Sequence, residues 1–288
     1  MTPGHSAPNP LWAPTLTIRR LGIVSRDYRF EEKNGYSDFS QAFPAILRRL
    51  DALGCDAVLF ALYTLVQRRS FQVAPVLGDL KLQRLRSVWV EEFREVFSRK
   101  TPQRSRTPVR FVVHYRAAGK WHRYVLKQRF GALKSTRKFA RETLAPFLRE
   151  TRDRRRIGNA LVLICGESNI VKYSPTSQRI EDPFGFLDAM PKEVQILLNP
   201  IHDRMTRFEM KLKRRFLSQQ GRWVVSVWNK GKVDRKGKVR DGRRPPWTVF
   251  HDGEAFEPMR LDAACIETRS PIEMAILDLG ECGFNAVK

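Results

Sequence analysis

Apolar positions along the chain follow two alternating periods. Leu16 to Ser25 is apolar at most positions and predicts a strand. Asp38 is of a type that caps helices, and Phe39, Phe43, Ile46, Leu47, Leu50 and Leu53 then share one helical face. Gly54 closes that helix, and Ala57 to Val66 reads as a buried strand. The spacing of Leu82, Leu85, Val88 and Phe93 predicts a second helix over Leu80 to Phe97. Lys100 to Pro108 is polar and proline-bearing, hence a loop. Arg110 to Ala117 and Trp121 to Leu126 flank Ala118-Gly119-Lys120 as a hairpin.

A basic helix is expected over Thr136 to Arg152, broken at Gly158. Two buried strands follow, one from Ala160 and one over Val194 to Leu198. Met205, Phe208, Leu212 and Phe216 predict a helix within His202 to Gln220. Arg222 to Asn229, Trp247 to His251 and Ile272 to Leu279 are the late strands, and Lys230 to Arg244 is a glycine-bearing basic loop. Strands alternating with helices and then giving way to hairpins imply one α/β domain of stacked layers.

Composition narrows the class. At 288 residues and 42% hydrophobic, the chain can bury a full core. No apolar run reaches the length that spans a bilayer, so no membrane segment is expected. Residues 1–15 read as a flexible leader, 16–280 as the domain and 281–288 as a tail. The cysteines (Cys55, Cys165, Cys265, Cys282) show neither disulfide nor metal spacing, which fits a reduced, cytoplasmic protein without metal or other cofactor. The formal charge of +23 is the footprint of a polyanion partner. Yet Lys and Arg are spread along the chain, so nucleic acid is a partner to consider but not the favoured one.

One stretch carries candidate chemistry. In Ala160-Leu-Val-Leu-Ile-Cys165-Gly166-Glu167-Ser168-Asn169 an apolar run ends on a thiol, followed at once by glycine. A buried cysteine acting as a small hydrophobe would give this pattern. So would a nucleophile lifted from a strand end into a ring of backbone N–H donors. The ten residues alone leave both readings open.

The surrounding order changes that balance. Leu53-Gly54-Cys55-Asp56-Ala57-Val58-Leu59-Phe60, Tyr124-Val125-Leu126-Lys127, Leu163-Ile164-Cys165-Gly166-Glu167-Ser168-Asn169 and Ile196-Leu197-Leu198-Asn199-Pro200 follow one another. In this sequence they resemble the carbon–nitrogen hydrolase (nitrilase) superfamily, over about Leu16 to Leu279. The resemblance implies a single-domain, four-layer α-β-β-α sandwich, usually a homo-oligomer, and hydrolysis of a small nitrile or amide. It implies Cys165 as nucleophile, Lys127 as oxyanion support, and Glu167 beside the nucleophile. Gly166, Asn169, Asn199 and His202 would line the substrate pocket. The family's general-base glutamate belongs at the end of the second strand, where this chain has Leu62. A leucine cannot take a proton. Glu167, or Glu91, Glu92 or Glu142 from a helix, could stand in. Otherwise the chain keeps the fold as a binding module, or is a basic nucleic-acid-associated protein.

Overall fold

The computed structural model of the protein describes residues 16–27, 39, 41–67, 72–94, 110–202, 208–231, 244–262, 266 and 271–280. Asp38, Met205, Cys265, Cys282, the Lys100–Pro108 loop, the leader, the tail and most of the Lys230–Arg244 loop lie outside them.

The first half gives β1 (Arg20–Arg26), α1 (Ala42–Ala52), β2 (Ala57–Phe60), β3 (Val66–Gln67), α2 (Val73–Asp79), β4 (Ser87–Glu91), β5 (Phe93–Arg94), β6 (Arg110–Ala117) and β7 (Lys120–Lys127). Next come α3 (Arg137–Phe139), a π-helical turn (Ala140–Leu144), α4 (Ala145–Asp153), β8 (Arg156–Ile157), β9 (Ala160–Val162) and a 3₁₀ turn (Cys165–Ile170). The remainder is β10 (Lys172–Ser174), β11 (Arg179–Glu181), α5 (Phe186–Ala189), β12 (Ile196–Pro200), α6 (Phe208–Leu217), β13 (Trp223–Val227), β14 (Trp247–His251), β15 (Glu254–Phe256), β16 (Met259–Leu261) and β17 (Ile272–Asp278).

These elements form two large sheets, ordered β16-β17-β1-β2-β4-β6-β7 and β15-β14-β13-β12-β9-β8. Three apolar cores fix the layers. Ile23, Leu59, Trp89 and Val113 of the first sheet meet Val162, Leu198, Val225 and Val249 of the second. On the outer side of the first sheet, Val58, Phe60 and Val88 pack against Phe43, Ile46, Leu50 and Leu77 of α1 and α2. On the outer side of the second, Leu161, Leu197 and Val224 pack against Phe147, Phe186 and Leu217 of α4, α5 and α6. The architecture is the expected four-layer α-β-β-α sandwich. No helix among the described residues is long and apolar enough to cross a membrane.

The chief correction is the helix expected over Leu80 to Phe97. A short helix, α2, ends at Asp79, and Ser87–Glu91 is a wholly buried strand between β2 and β6. A central strand covered on both faces is apolar at successive positions, so periodicity fails to separate it from a buried helix. The i, i+3 spacing of Leu82, Leu85 and Val88 is a coincidence of a loop and a strand. Asp51 holds that loop by accepting from the N–H groups of Gln83, Arg84 and Leu85 at 3.0, 2.7 and 2.7 Å. A smaller shift is that β2 stops at Phe60, while α6 is described over Phe208–Leu217, with residues 203–207 outside the described ones.

Outside the first sheet, Glu92 meets His114 at 3.0 Å and is paired with Arg123 of β7. Burial pushes the Glu92 carboxyl up, but the His114 and Arg123 contacts outweigh it and hold it at about 2, below its ordinary 4.5. A depressed carboxyl stabilises the fold above its unfolded value and ceases to as pH falls through the folded one. Glu92→Gln is therefore expected to flatten the loss of stability between about pH 4.5 and pH 2. Urea unfolding midpoints measured across that window check it; identical slopes for both proteins would refute it.

Candidate active site

The parallel strands β1, β2 and β4 of one sheet and β9, β12 and β13 of the other end at a common edge, where α/β sheets place ligands. Asn229, just beyond β13, stitches that edge together. Its Oδ1 accepts from the Arg26 N–H at 3.0 Å and from Thr64 Oγ1 at 2.9 Å, and its Nδ2 donates to the Leu62 carbonyl at 2.7 Å.

Cys165 sits on this edge, in the turn that follows β9. Leu161, Val162, Leu163 and Ile164 are buried in the two apolar cores flanking the sheet, and at Cys165 the chain turns sharply with φ +50°. That left-handed conformation costs a side-chain-bearing residue roughly 1–2 kcal/mol. The thiol is half-buried and packs against the core between the sheets. Cys55, by contrast, is fully buried, and burial raises its thiol pKa to about 12.

Glu167 holds the turn in place. It is completely buried, and each oxygen takes two donors. Oε1 accepts from the Arg129 N–H at 2.6 Å and Arg155 at 2.9 Å; Oε2 accepts from the Ile164 N–H at 2.8 Å and Arg155 at 2.6 Å. Burial pushes this carboxyl up, opposed by Arg155 and the two backbone donors. Arg155 is itself buried, lies 4.7 Å over the Phe147 ring, and also donates to the Lys127 carbonyl at 2.7 Å. The pair thus ties the end of β7 to the cysteine turn. Gly166 permits the contact: a Cβ there would lie 2.0 Å from the Gly131 carbonyl oxygen.

Other residues singled out from the sequence gather on the same edge. Lys127 is the last residue of β7, and its side chain is exposed. Leu126 and Tyr124 face the core between the sheets, so alternation sends Lys127 toward the outer face with Arg123. Asn169 donates to the Gly131 carbonyl at 3.0 Å and accepts from Lys213 at 3.0 Å. Asn199, at the end of β12, donates to the carbonyls of Leu163 and Cys165 at 2.5 and 3.2 Å and accepts from Ser226 at 3.2 Å. Its amide therefore frames the turn.

Three residues beyond Asn199, His202 packs against Tyr63 with ring centroids 3.9 Å apart and the planes tilted by 31°. Its Nε2 lies 3.3 Å from Glu91 Oε2, and the Tyr63 N–H donates to the same oxygen at 2.8 Å. Glu91 is 2% exposed. Trp89, two residues earlier on β4, belongs to the core between the sheets, so Glu91 points into that same space. A carboxylate therefore stands one residue's reach from Leu62, supplied by the neighbouring strand. The misread helix obscured it; the signal was an unbroken buried run, Val88-Trp89-Val90, ending on an acid.

Tyr63 is left-handed too, at φ +62°. The left-handed residues Ala118, Gln220 and Asp252 each precede a glycine that is also left-handed, in ordinary tight turns. Gln178, in the β10–β11 turn, Tyr63 and Cys165 do not, and of these Tyr63 and Cys165 border this edge. Among the described residues no group of three or more His, Cys, Asp or Glu is placed to hold a metal ion.

No protein-family profile matches the chain, and no curated protein matches it. Solved structures similar to it include two of hydrolases. One is an alanine-for-cysteine mutant of the Nesterenkonia AN1 amidase from the nitrilase superfamily, at 11% identity and TM-score 0.47, covering 92% of this chain and 93% of that one. The other is a carbon–nitrogen hydrolase from Helicobacter pylori G27, at 11% identity and TM-score 0.42, covering 91% and 89%. The four-layer architecture itself rests on the two sheets and three cores described above.

Proposed function

We propose that the protein hydrolyses a non-peptide carbon–nitrogen bond of a small nitrile or amide, with Cys165 as nucleophile. The observation that carries this reading is the backbone of Cys165. A half-buried thiol is held left-handed at the carboxyl edge of the sheets, by a turn anchored through Glu167 to Arg155 and the Ile164 N–H. Strained residues of this kind cluster at functional sites.

In the proposed reaction the Cys165 sulfur attacks the substrate carbon while its proton passes to the Glu91–His202 pair. That pair stands in for the glutamate that Leu62 displaces. Lys127, sent by the alternation of β7 to the outer face, takes no part in this reaction, and backbone N–H groups of the cysteine turn meet the anion that develops. An amide then loses ammonia, which takes up the proton, and leaves a thioester; a nitrile gives a thioimidate, which a first water converts to the same thioester with loss of ammonia. Water, deprotonated by the same pair, releases the acid and restores the thiol. Glu167 acts by fixing the turn.

A binding module without hydrolysis is the second reading. It is favoured by Leu62, fully buried at the position where the resemblance implies the general base. Iodoacetamide labelling at neutral pH, followed by peptide mass analysis, separates the two. An enzyme is expected to be modified at Cys165 at least tenfold faster than at Cys55, with His202→Gln and Glu91→Gln removing most of that advantage. Release of ammonia from a panel of short nitriles and primary amides should follow the same order. Labelling of Cys165 that ignores both substitutions, with no ammonia released, would leave the binding module.

A further inference from the structure

The charge that the sequence spreads along the chain is gathered by the fold. Residues 120–156 carry thirteen Lys or Arg against three Asp or Glu. About an eighth of the chain thus supplies nearly half of the net +23. This segment is β7, the connecting loop, the α3–α4 helical run and the start of β8. β7 and β8 are the edge strands of their sheets, and Arg155 joins the end of α4 to the β7 carboxyl end through Lys127. The segment therefore forms one continuous side of the sandwich.

Within it, Lys127, Lys134, Lys138, Arg149, Arg152 and Arg154 are exposed, and none lies within ion-pair distance of a carboxylate among the described residues. Of the acids present, Glu142 is engaged by Arg141, and Glu150 by Arg129 and Arg155. Arg152, in the last turn of α4, complements the helix dipole, which accounts for that cation. It does not account for Lys127, Lys134 or Lys138, which lie in a strand end, a loop and a first helical turn. From Lys138 to Arg152 the helical run extends about 20 Å, alongside which each strand of a duplex presents about six phosphates.

We propose that this basic side binds the phosphate backbone of a nucleic acid, independently of its sequence and of the cysteine site. Two observations favour nucleic acid over an anionic membrane. Interfacial membrane binding needs apolar side chains among the cations. Among the described residues the exposed large apolar ones are Phe208, Phe256 and Met259, at the start of α6 and on β15 and β16. β15 and β16 are the opposite edges of the two sheets. None of the three apolar residues lies on the basic side, as suits a surface that tracks a phosphate backbone.

The test is fluorescence anisotropy of the full chain with a labelled duplex DNA and a labelled single-stranded RNA, in salt from about 50 to 200 mM. Contact with about five phosphates predicts a slope near −4.5 in log affinity against log salt for the duplex, a loss of about five hundred-fold across that range. Replacing Lys134, Lys138, Arg149 and Arg152 with glutamate should weaken binding at least thirtyfold. The matched control reverses Arg48, Arg49, Lys81 and Arg84, exposed cations on the α1 side, and should cost under threefold. Equal losses in the two variants would reduce the effect to net charge and overturn the proposal. So would polyglutamate or anionic vesicles competing as well as nucleic acid, or binding indifferent to salt. Circular dichroism of each variant establishes that it is folded.

Discussion

Arg155→Met is expected to destabilise the protein by about 3–5 kcal/mol, the range for removing one partner of a buried ion pair. The reason is what stays behind. Glu167 would keep its carboxylate at full burial with two backbone donors and lose both guanidinium contacts. The Lys127 carbonyl would lose its donor as well. Glu167→Gln in the same background is expected to recover part of the loss, because an amide needs no counter-charge. Urea unfolding of the two single variants and the double variant checks this as a cycle. A single-variant cost below 1 kcal/mol, or strict additivity, would mean the pair does not hold the turn.

Cys165→Ala is expected to leave stability within about 1 kcal/mol and to abolish hydrolysis, by at least a thousandfold in kcat/KM. The contrast follows from their positions. Arg155 is enclosed beneath the turn, while Cys165 is half-buried and its left-handed backbone suits alanine no worse. Glu91→Gln and His202→Gln should each cost about a hundredfold, and the double variant little more, because the pair moves one proton. Multiplicative losses in the double variant would separate the two residues into independent roles. Activity surviving in Cys165→Ala would remove the thiol from the reaction.

Much of this fold was readable because its periods are clean. The α1 face and the strand beginning at Ala57 were legible, as was the turn after β9, since a buried run ending on Cys-Gly leaves the chain few options. The β4 region was not, because a strand covered on both faces has no polar side to declare its period. The same limit hid the Glu91–His202 pair. Their 111-residue separation is closed only by β4, β2 and β12 ending at one edge. Glu167 was legible as a neighbour of the nucleophile; its burial against Arg155 was not, since a carboxylate in sequence carries no sign of its partner. The basic side escaped for a related reason. Its cations are ordinary in spacing, and only the adjacency of two sheet edges brings them together.

The left-handed backbone at Cys165 bears on how this chain would change if its chemistry ceased to matter. Glycine adopts that conformation without strain, so it is the residue that stability alone would choose there. Drift toward a merely folded sandwich has an easy route at this position, through a residue that lacks sulfur. The chain carries the costlier residue, and with it a thiol at the open edge of its sheets.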